Sequence, residues 1–146
     1  LRDNYLDAHD RATLLATASL LGKLGITVYS SPPLDPGKLL HVQGWRKAFR
    51  RHAERYLDRL DALAASGLPL IGCETVTRLM LEDEYPKQLP RRKMPRVLSP
   101  EAFLAGWIRH HPPPRLHSDR PLRLLPHCSE QTGARDSLDA WRAVFE

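Results

Sequence analysis

The stretch SGLPLIGCET, Ser66 to Thr75, decides the fold. Leu68-Pro69-Leu70-Ile71-Gly72 is a short apolar run bounded by Ser66-Gly67 and by a cysteine, which reads as a buried strand. From Glu74 to Tyr85 the pattern turns helical, and Pro86 is expected to stop it. A strand this short and apolar, feeding directly into a helix, belongs to a parallel sheet covered on both faces. Cys73 would then stand at the strand's carboxyl end, where open parallel sheets gather ligands and reactive groups.

The same alternation extends outward in both directions. Asp7 to Leu24 reads as a helix with Leu14, Leu15, Ala18, Leu21 and Leu24 on one stripe, stopped by Gly25. Ile26-Thr27-Val28-Tyr29 is of strand type, and SSPPLDPGK after it reads as a loop because prolines supply no ladder donors. Trp45, Phe49, Ala53, Tyr56, Leu60 and Leu63 recur at three- and four-residue steps, predicting one long amphipathic helix from Val42 to Ala65. Arg96-Val97-Leu98 is a third strand, and Ser99-Pro100-Glu101 opens a helix reaching His110. HHPPPRLHSDRP is a loop, Leu122 to Leu125 a fourth strand, and Ala134 to Phe145 a last helix. The expected fold class is α/β, a three-layer α/β/α sandwich with a short, mostly parallel sheet in one domain, 1–146.

Composition bounds the functions. Of 146 residues, 42% are hydrophobic and 27% charged, ordinary for a globular domain with its own core. No run approaches the roughly 20 apolar residues of a membrane-spanning helix. With two cysteines, Cys73 and Cys128, a disulfide framework is not expected, and reduced thiols place the chain in the cytoplasm. The net charge of +5 raises nucleic acid or an acidic protein as partner. The basic residues are densest from Arg46 to Arg59, where Arg50 can pair with Glu54, and at Arg91, Arg92 and Lys93. No aromatic ladder or helix-turn-helix spacing accompanies them, so a solvated basic surface is expected and a nucleic-acid site is not.

Most catalytic motifs are missing. Neither CxxC nor HxxxH pairing is present, and His110, His111 and His117 fall in a proline-rich segment that suits solvated surface better than a zinc site. Glycine-rich phosphate loops and the GxSxG nucleophile turn are absent too. Three expected strand ends nevertheless carry small polar or thiol groups: Ser30-Ser31, Cys73 and Cys128. Cys128, between a strand and a helix N-terminus, suits a thiolate ligand or redox nucleophile, although residue type and position alone favour a small buried hydrophobe.

The order and spacing of several elements carry a resemblance: Asp3 and Tyr5, Leu24-Gly25 with Val28, PGKLLHVQGW from Pro36 to Trp45, Ser66 to Gly72, EYPKQL from Glu84 to Leu89, and HCSEQT from His127 to Thr132. The chain resembles the cysteine-rich C-terminal (CCG) domain of FAD-linked D-2-hydroxyacid dehydrogenases with fused iron–sulfur modules, the D-2-hydroxyglutarate and D-lactate type. It is similar, more distantly, to the iron–sulfur subunits of glycolate oxidase and anaerobic glycerol-3-phosphate dehydrogenase.

The resemblance implies two related halves, 1–90 and 91–146, each with thiols that bind a 4Fe–4S type cluster or do redox chemistry. Ser30-Ser31 stand where the first half would carry a Cys-Cys pair, and Thr77 stands near a further cysteine position, so that half is expected to have lost its cluster. In the second half Cys128 matches the lone cysteine, an iron–sulfur ligand whose other ligands lie outside the chain. His127, Ser129 and Gln131 would then hydrogen-bond its sulfur or order its loop.

The chain is thus expected to be an excised fragment, not catalytic alone. Its partners would be the flavin and ferredoxin-like domains of the same protein, with the D-2-hydroxyacid and FAD bound elsewhere and the whole at most peripheral to the inner membrane. The alternatives are a basic module docking nucleic acid or an acidic protein through Arg46, Arg50, Arg91, Arg92 and Lys93, and a purely structural domain.

Overall fold

The computed structural model describes residues 1–3, 10–112, 123–126, 130–131 and 135–145. They form two compact units, Leu1–Ser99 and Pro100–Glu146. The chain is α/β, rich in helix, with short parallel strand pairing as the alternation implied.

In the first unit β1 (Arg2–Asp3) pairs in parallel with β2 (Pro33–Leu34), Arg2 opposite Pro33 and Asp3 opposite Leu34. The second parallel pair is β3 (Leu70–Ile71) with β4 (Val97–Leu98), extended by a 2.9 Å bond from Gly72 N–H to the Leu98 carbonyl. The strands at Leu70 and Val97 therefore form where the sequence placed them. Ile26–Tyr29 does not, and Val28 and Tyr29 are exposed. Strand propensity expresses fit to a half-buried pleated surface, and this run has no such surface among the described residues. The partner of β1 is found instead in the proline-rich segment read as loop. Proline is tolerated there because it opens a two-residue edge strand and need not donate. Residues 123–126 likewise carry no strand, and Leu124 and Leu125 are exposed.

Helix α1 (Arg11–Lys23) starts at Asp10, whose carboxylate accepts from Thr13 N–H and Thr13 Oγ1 at 3.3 and 2.6 Å. Of its apolar stripe only Leu21 is buried. The predicted helix from Val42 divides: α2 (Lys38–Val42) ends at a turn where Gly44 has φ +71°, and α3 (Arg46–Ala64) follows. An L-residue with a side chain pays steric strain at that φ, so the glycine fixes the break. Trp45 consequently sits outside α3 as its cap. The helical period extrapolated back from Phe49 does not hold there, and Trp45 is 58% exposed rather than packed.

The buried face of α3 is Phe49, Ala53, Tyr56, Leu57 and Leu60. It packs with Leu34, Met80, Leu81, Tyr85, Leu89 and Val97 into the core of the first unit. Burying each large apolar side chain is worth about 1.5–3 kcal/mol. Phe49 and Tyr56 both meet Tyr85 edge to face, with centroids 5.5 and 5.9 Å apart.

Pro86 does not stop the helix that follows β3. The chain runs through α4 (Thr75–Leu79), a π-helical turn (Met80–Glu84) and α5 (Tyr85–Gln88). In the π turn the Tyr85 N–H reaches back five residues to the Met80 carbonyl. Pro86 then falls at the first turn of α5, where a missing N–H and a fixed φ cost little.

In the second unit α6 (Pro100–Ile108) packs on α7 (Arg135–Phe145). Ser137 is buried between them, its Oγ 2.5 Å from Glu101 Oε1, and 2.9 Å from Glu130 Oε1.

Candidate functional site

The site built from the first unit's strand edge begins at Leu1 and Arg2. The Leu1 nitrogen donates to the Ile71 carbonyl, and the Arg2 N–H donates to Ser31 Oγ at 3.0 Å. One short segment thus connects Ser31 on one side with the end of β3, and so with Cys73, on the other. Cys73 is half-buried.

The hydroxyls of Ser30, Ser31 and Thr77 have bonds of their own. Ser31 Oγ accepts from Arg2 and donates to the Pro32 carbonyl at 3.0 Å, and Ser30 Oγ donates to the Ser31 carbonyl at 3.3 Å. Thr77, buried, belongs to a helix cap: Glu74 Oε2 accepts from its N–H at 2.5 Å and from its Oγ1 at 3.0 Å. Glu74 satisfies the open N–H groups of α4, the ordinary task of an N-cap carboxylate.

An iron–sulfur centre takes four thiolates or near equivalents. Among the described residues no three His, Cys, Asp or Glu side chains stand close enough to hold a metal ion. Cys73, Ser31 and Thr77 therefore do not fit such a group: one thiol is present, and the hydroxyls are hard donors already bonded.

Cys128, His127 and Ser129 lie outside the described residues, as do His117 and Thr132. Gln131 is described, and its Nε2 donates to the Pro126 carbonyl at 3.3 Å, joining residues on either side of Cys128 in sequence. His111 stacks on Trp107 with centroids 4.5 Å apart and bonds the Trp107 carbonyl through Nδ1 at 3.2 Å, so it is held as a packing group on its own helix end.

The structure adds two further features, the first of which was not read from the sequence. A depression of about 320 Å³ is lined by His41, Arg46, Phe49, Glu84, Lys87 and Gln88. In it Glu84 stands 3.4 Å from His41 Nε2 and 3.5 Å from Lys87 Nζ. Lys87 also bonds Asp83 at 2.7 Å, a contact that raises the lysine's pKa and lowers the aspartate's. Glu84 and Lys87 thus neutralise each other within this lining. Their signal in the sequence was only i,i+3 and i,i+4 charge spacing within the EDEYPK run; the His41 contact is long-range and had none.

The second feature concerns the basic residues. Arg50 pairs with Glu54 at 3.5 Å, as its spacing implied. Arg92 bridges Asp58 at 2.8 Å and Asp61 at 2.6 Å, so its charge is spent within the unit. No helix among the described residues is long and apolar enough to cross a membrane.

The chain is similar over nearly its whole length to part of several curated enzymes. It is 33% identical over 145 residues to a D-2-hydroxyglutarate dehydrogenase of Pseudomonas putida, 27% over 153 to one of Haemophilus influenzae and 25% over 146 to one of Escherichia coli. Each alignment takes in 99% of this chain but only 14%, 15% and 14% of the respective enzyme, so the chain spans about a seventh of their length. No family model matches the chain, and no solved structure matches it.

Proposed function

We infer that this chain is one segment of a D-2-hydroxyacid dehydrogenase, a scaffold within that enzyme and not a catalyst by itself. The observation that carries this reading is the alignment of 99% of the chain with one contiguous seventh of enzymes named D-2-hydroxyglutarate dehydrogenase. The geometry of the first unit is consistent with it. Ser31 and Thr77, at or near positions where the resemblance expects thiols, are knitted into β1 and the α4 cap. They serve as structural joints of this unit.

In this reading the flavin and the ferredoxin-like clusters belong to the remainder of the longer protein, which would oxidise the D-2-hydroxyacid. Cys128, flanked by His127 and Ser129, is the residue of this chain left to contribute a thiolate to an iron–sulfur centre completed from elsewhere. Residues 1–90 and 91–146 would be a degenerate half and the start of a competent one. The protein would work in the cytoplasm.

The test is the full reading frame that contains this sequence, expressed anaerobically and assayed for D-2-hydroxyglutarate and D-lactate oxidation with an artificial dye acceptor, alongside iron and acid-labile sulfide. Expected are activity on one of these acids, iron content lowered by Cys128→Ser, and iron content unchanged by Cys73→Ser. A reading frame without oxidase activity toward either acid overturns the dehydrogenase reading. Unchanged iron in Cys128→Ser removes that residue's role.

A further inference from the structure

Between Asp35 and Glu54 the chain carries no carboxylate, while Lys38, Arg46, Lys47, Arg50 and Arg51 supply five positive charges. The fold turns this run into a single corner, α2, the Gly44 turn and the first turns of α3. Leu40 of α2 packs against the core and His41 faces Glu84. The other side of α2 has no cover among the described residues. Leu39, Val42 and Trp45 are 68%, 66% and 58% exposed. They follow one another at i, i+3 and i+6, so Leu39 and Val42 share a helix face and the Gly44 turn continues it to the indole.

The surrounding cations are not neutralised from within. Among the described residues Lys38, Arg46 and Lys47 make no ion pair, in contrast to Arg92, which is held by two aspartates, and Arg50, which has Glu54. Beside the corner is an open depression of about 610 Å³ whose lining mixes the cations Arg51 and Arg55 with the carboxylates Glu54 and Asp58, so the excess positive charge lies on the corner itself. Its His52 ring is fixed, because Nε2 must donate to the Asp35 carbonyl 2.7 Å away.

We propose that this corner is a docking surface for an acidic protein partner, a separate chain that presents carboxylates around a small apolar patch. Charge complementarity selects the sign of the partner: Lys38, Arg46 and Lys47, which make no ion pair among the described residues, repel a basic surface and steer an acidic one. The apolar trio selects its class. A protein interface has an apolar centre, enriched in Trp, inside a polar rim where Arg is common, and Leu39, Val42 and Trp45 ringed by Lys38, Arg46, Lys47 and Arg50 have that layout. A duplex offers phosphates to the cations and nothing to Leu39 or Val42. An anionic membrane is engaged by a longer amphipathic helix, whereas α2 is five residues long. The inference does not depend on which reaction the longer protein performs.

The probe is a 16-residue amphipathic peptide of glutamate and leucine, titrated into the ¹⁵N-labelled chain and followed by NMR and calorimetry. Its controls are a lysine-for-glutamate version, a duplex DNA of random sequence, and vesicles of phosphatidylglycerol with phosphatidylcholine. Expected are binding of the acidic peptide alone, shifts centred on Leu39, Val42 and the Trp45 indole, and loss of affinity as salt rises, since exposed charges are screened within about 8 Å at physiological ionic strength. Lys38→Glu with Lys47→Glu, and separately Leu39→Ser with Trp45→Ser, should each weaken binding at least about tenfold, or about 1.4 kcal/mol. All four positions are exposed, and circular dichroism checks that the variants fold. Equal binding by either variant, shifts centred elsewhere, no binding of the acidic peptide, or binding of duplex or vesicles in its place overturns the proposal.

Discussion

The phenol of Tyr85 donates a 2.7 Å hydrogen bond to the carbonyl oxygen of Pro36, tying the segment after the π turn to the loop that opens α2. Both groups are buried, and the ring is 0% exposed between Phe49 and Tyr56. Removing only the hydroxyl leaves the Pro36 carbonyl in an apolar setting without its partner. Tyr85→Phe should therefore cost about 1–3 kcal/mol, and Tyr85→Ala about 3–5 kcal/mol because a cavity is added. Urea denaturation of the three proteins measures both. A Tyr85→Phe protein as stable as the parent would mean that the bond contributes nothing net.

The same residue makes stability depend on alkaline pH. Burial pushes the Tyr85 phenol well above its ordinary range, with the Tyr56 and Asp35 charges adding to the shift. A group whose folded pKa lies above its unfolded one favours the fold fully below the unfolded value, about 10, and loses that contribution as pH rises beyond it. Above about pH 10 the unfolded chain releases a proton that the folded chain keeps, so stability falls by about 1.4 kcal/mol per pH unit from this group. Tyr85→Phe lacks the group. Its deficit relative to the parent should narrow by that amount per unit between about pH 10 and 11, as read from urea midpoints at pH 8, 10 and 11. Parallel curves would place the titration elsewhere.

What the sequence disclosed was the periodic part. The apolar steps of α3 from Phe49 to Leu60, the strands at Leu70 and Val97 and the helices after Glu74 and Pro100 each follow from local spacing. What it concealed depends on partners far along the chain. Ile26–Tyr29 has strand-like residues but no strand beside it among the described residues, whereas Pro33–Leu34 pairs because Arg2 arrives beside it. Pro86 reads as a stop until the π turn realigns the helix ahead of it. For the site, Ser31 and Cys73 were legible as residues at an edge, but the use of the Ser31 and Thr77 hydroxyls as structural bonds was not. Trp45 was assigned to the core by a period that Gly44 interrupts.

Two glycines should respond to alanine with opposite signs. Gly37 caps α2 at φ +73°, and a Cβ there would lie 2.7 Å from His52 Cδ2, a ring that its bond to Asp35 holds in place. The left-handed backbone alone costs a residue with a side chain about 1–2 kcal/mol, and the contact adds to it. Gly22 lies within α1, and a Cβ there would meet nothing within 4 Å. Gly22→Ala should stabilise by about 0.5–1 kcal/mol through reduced freedom of the unfolded chain and better helix propensity. Thermal melts of the two variants against the parent decide this; melting temperatures shifted in the same direction would contradict it.

The β3–α4 junction separates a structural role from a chemical one. Glu74 holds both the N–H and the hydroxyl of Thr77, so Glu74→Ala opens the first turn of α4 and should cost about 0.5–2 kcal/mol. Glu74→Gln keeps an oxygen acceptor in the same place and should recover most of that loss. Cys73, one residue earlier, is half-buried, and Cys73→Ser exchanges a sulfur for a slightly smaller and more polar atom without emptying a cavity. Its cost should fall below that of Glu74→Ala in the same urea titration. If this junction were instead a ligand set, the ranking would change when iron is supplied under reducing conditions, because a group that binds the folded state stabilises it in proportion to its affinity. Midpoints for all three variants that do not move on adding ferrous iron and sulfide are the expected result, and an iron-dependent rise in the parent that Cys73→Ser abolishes would give this edge back its metal chemistry.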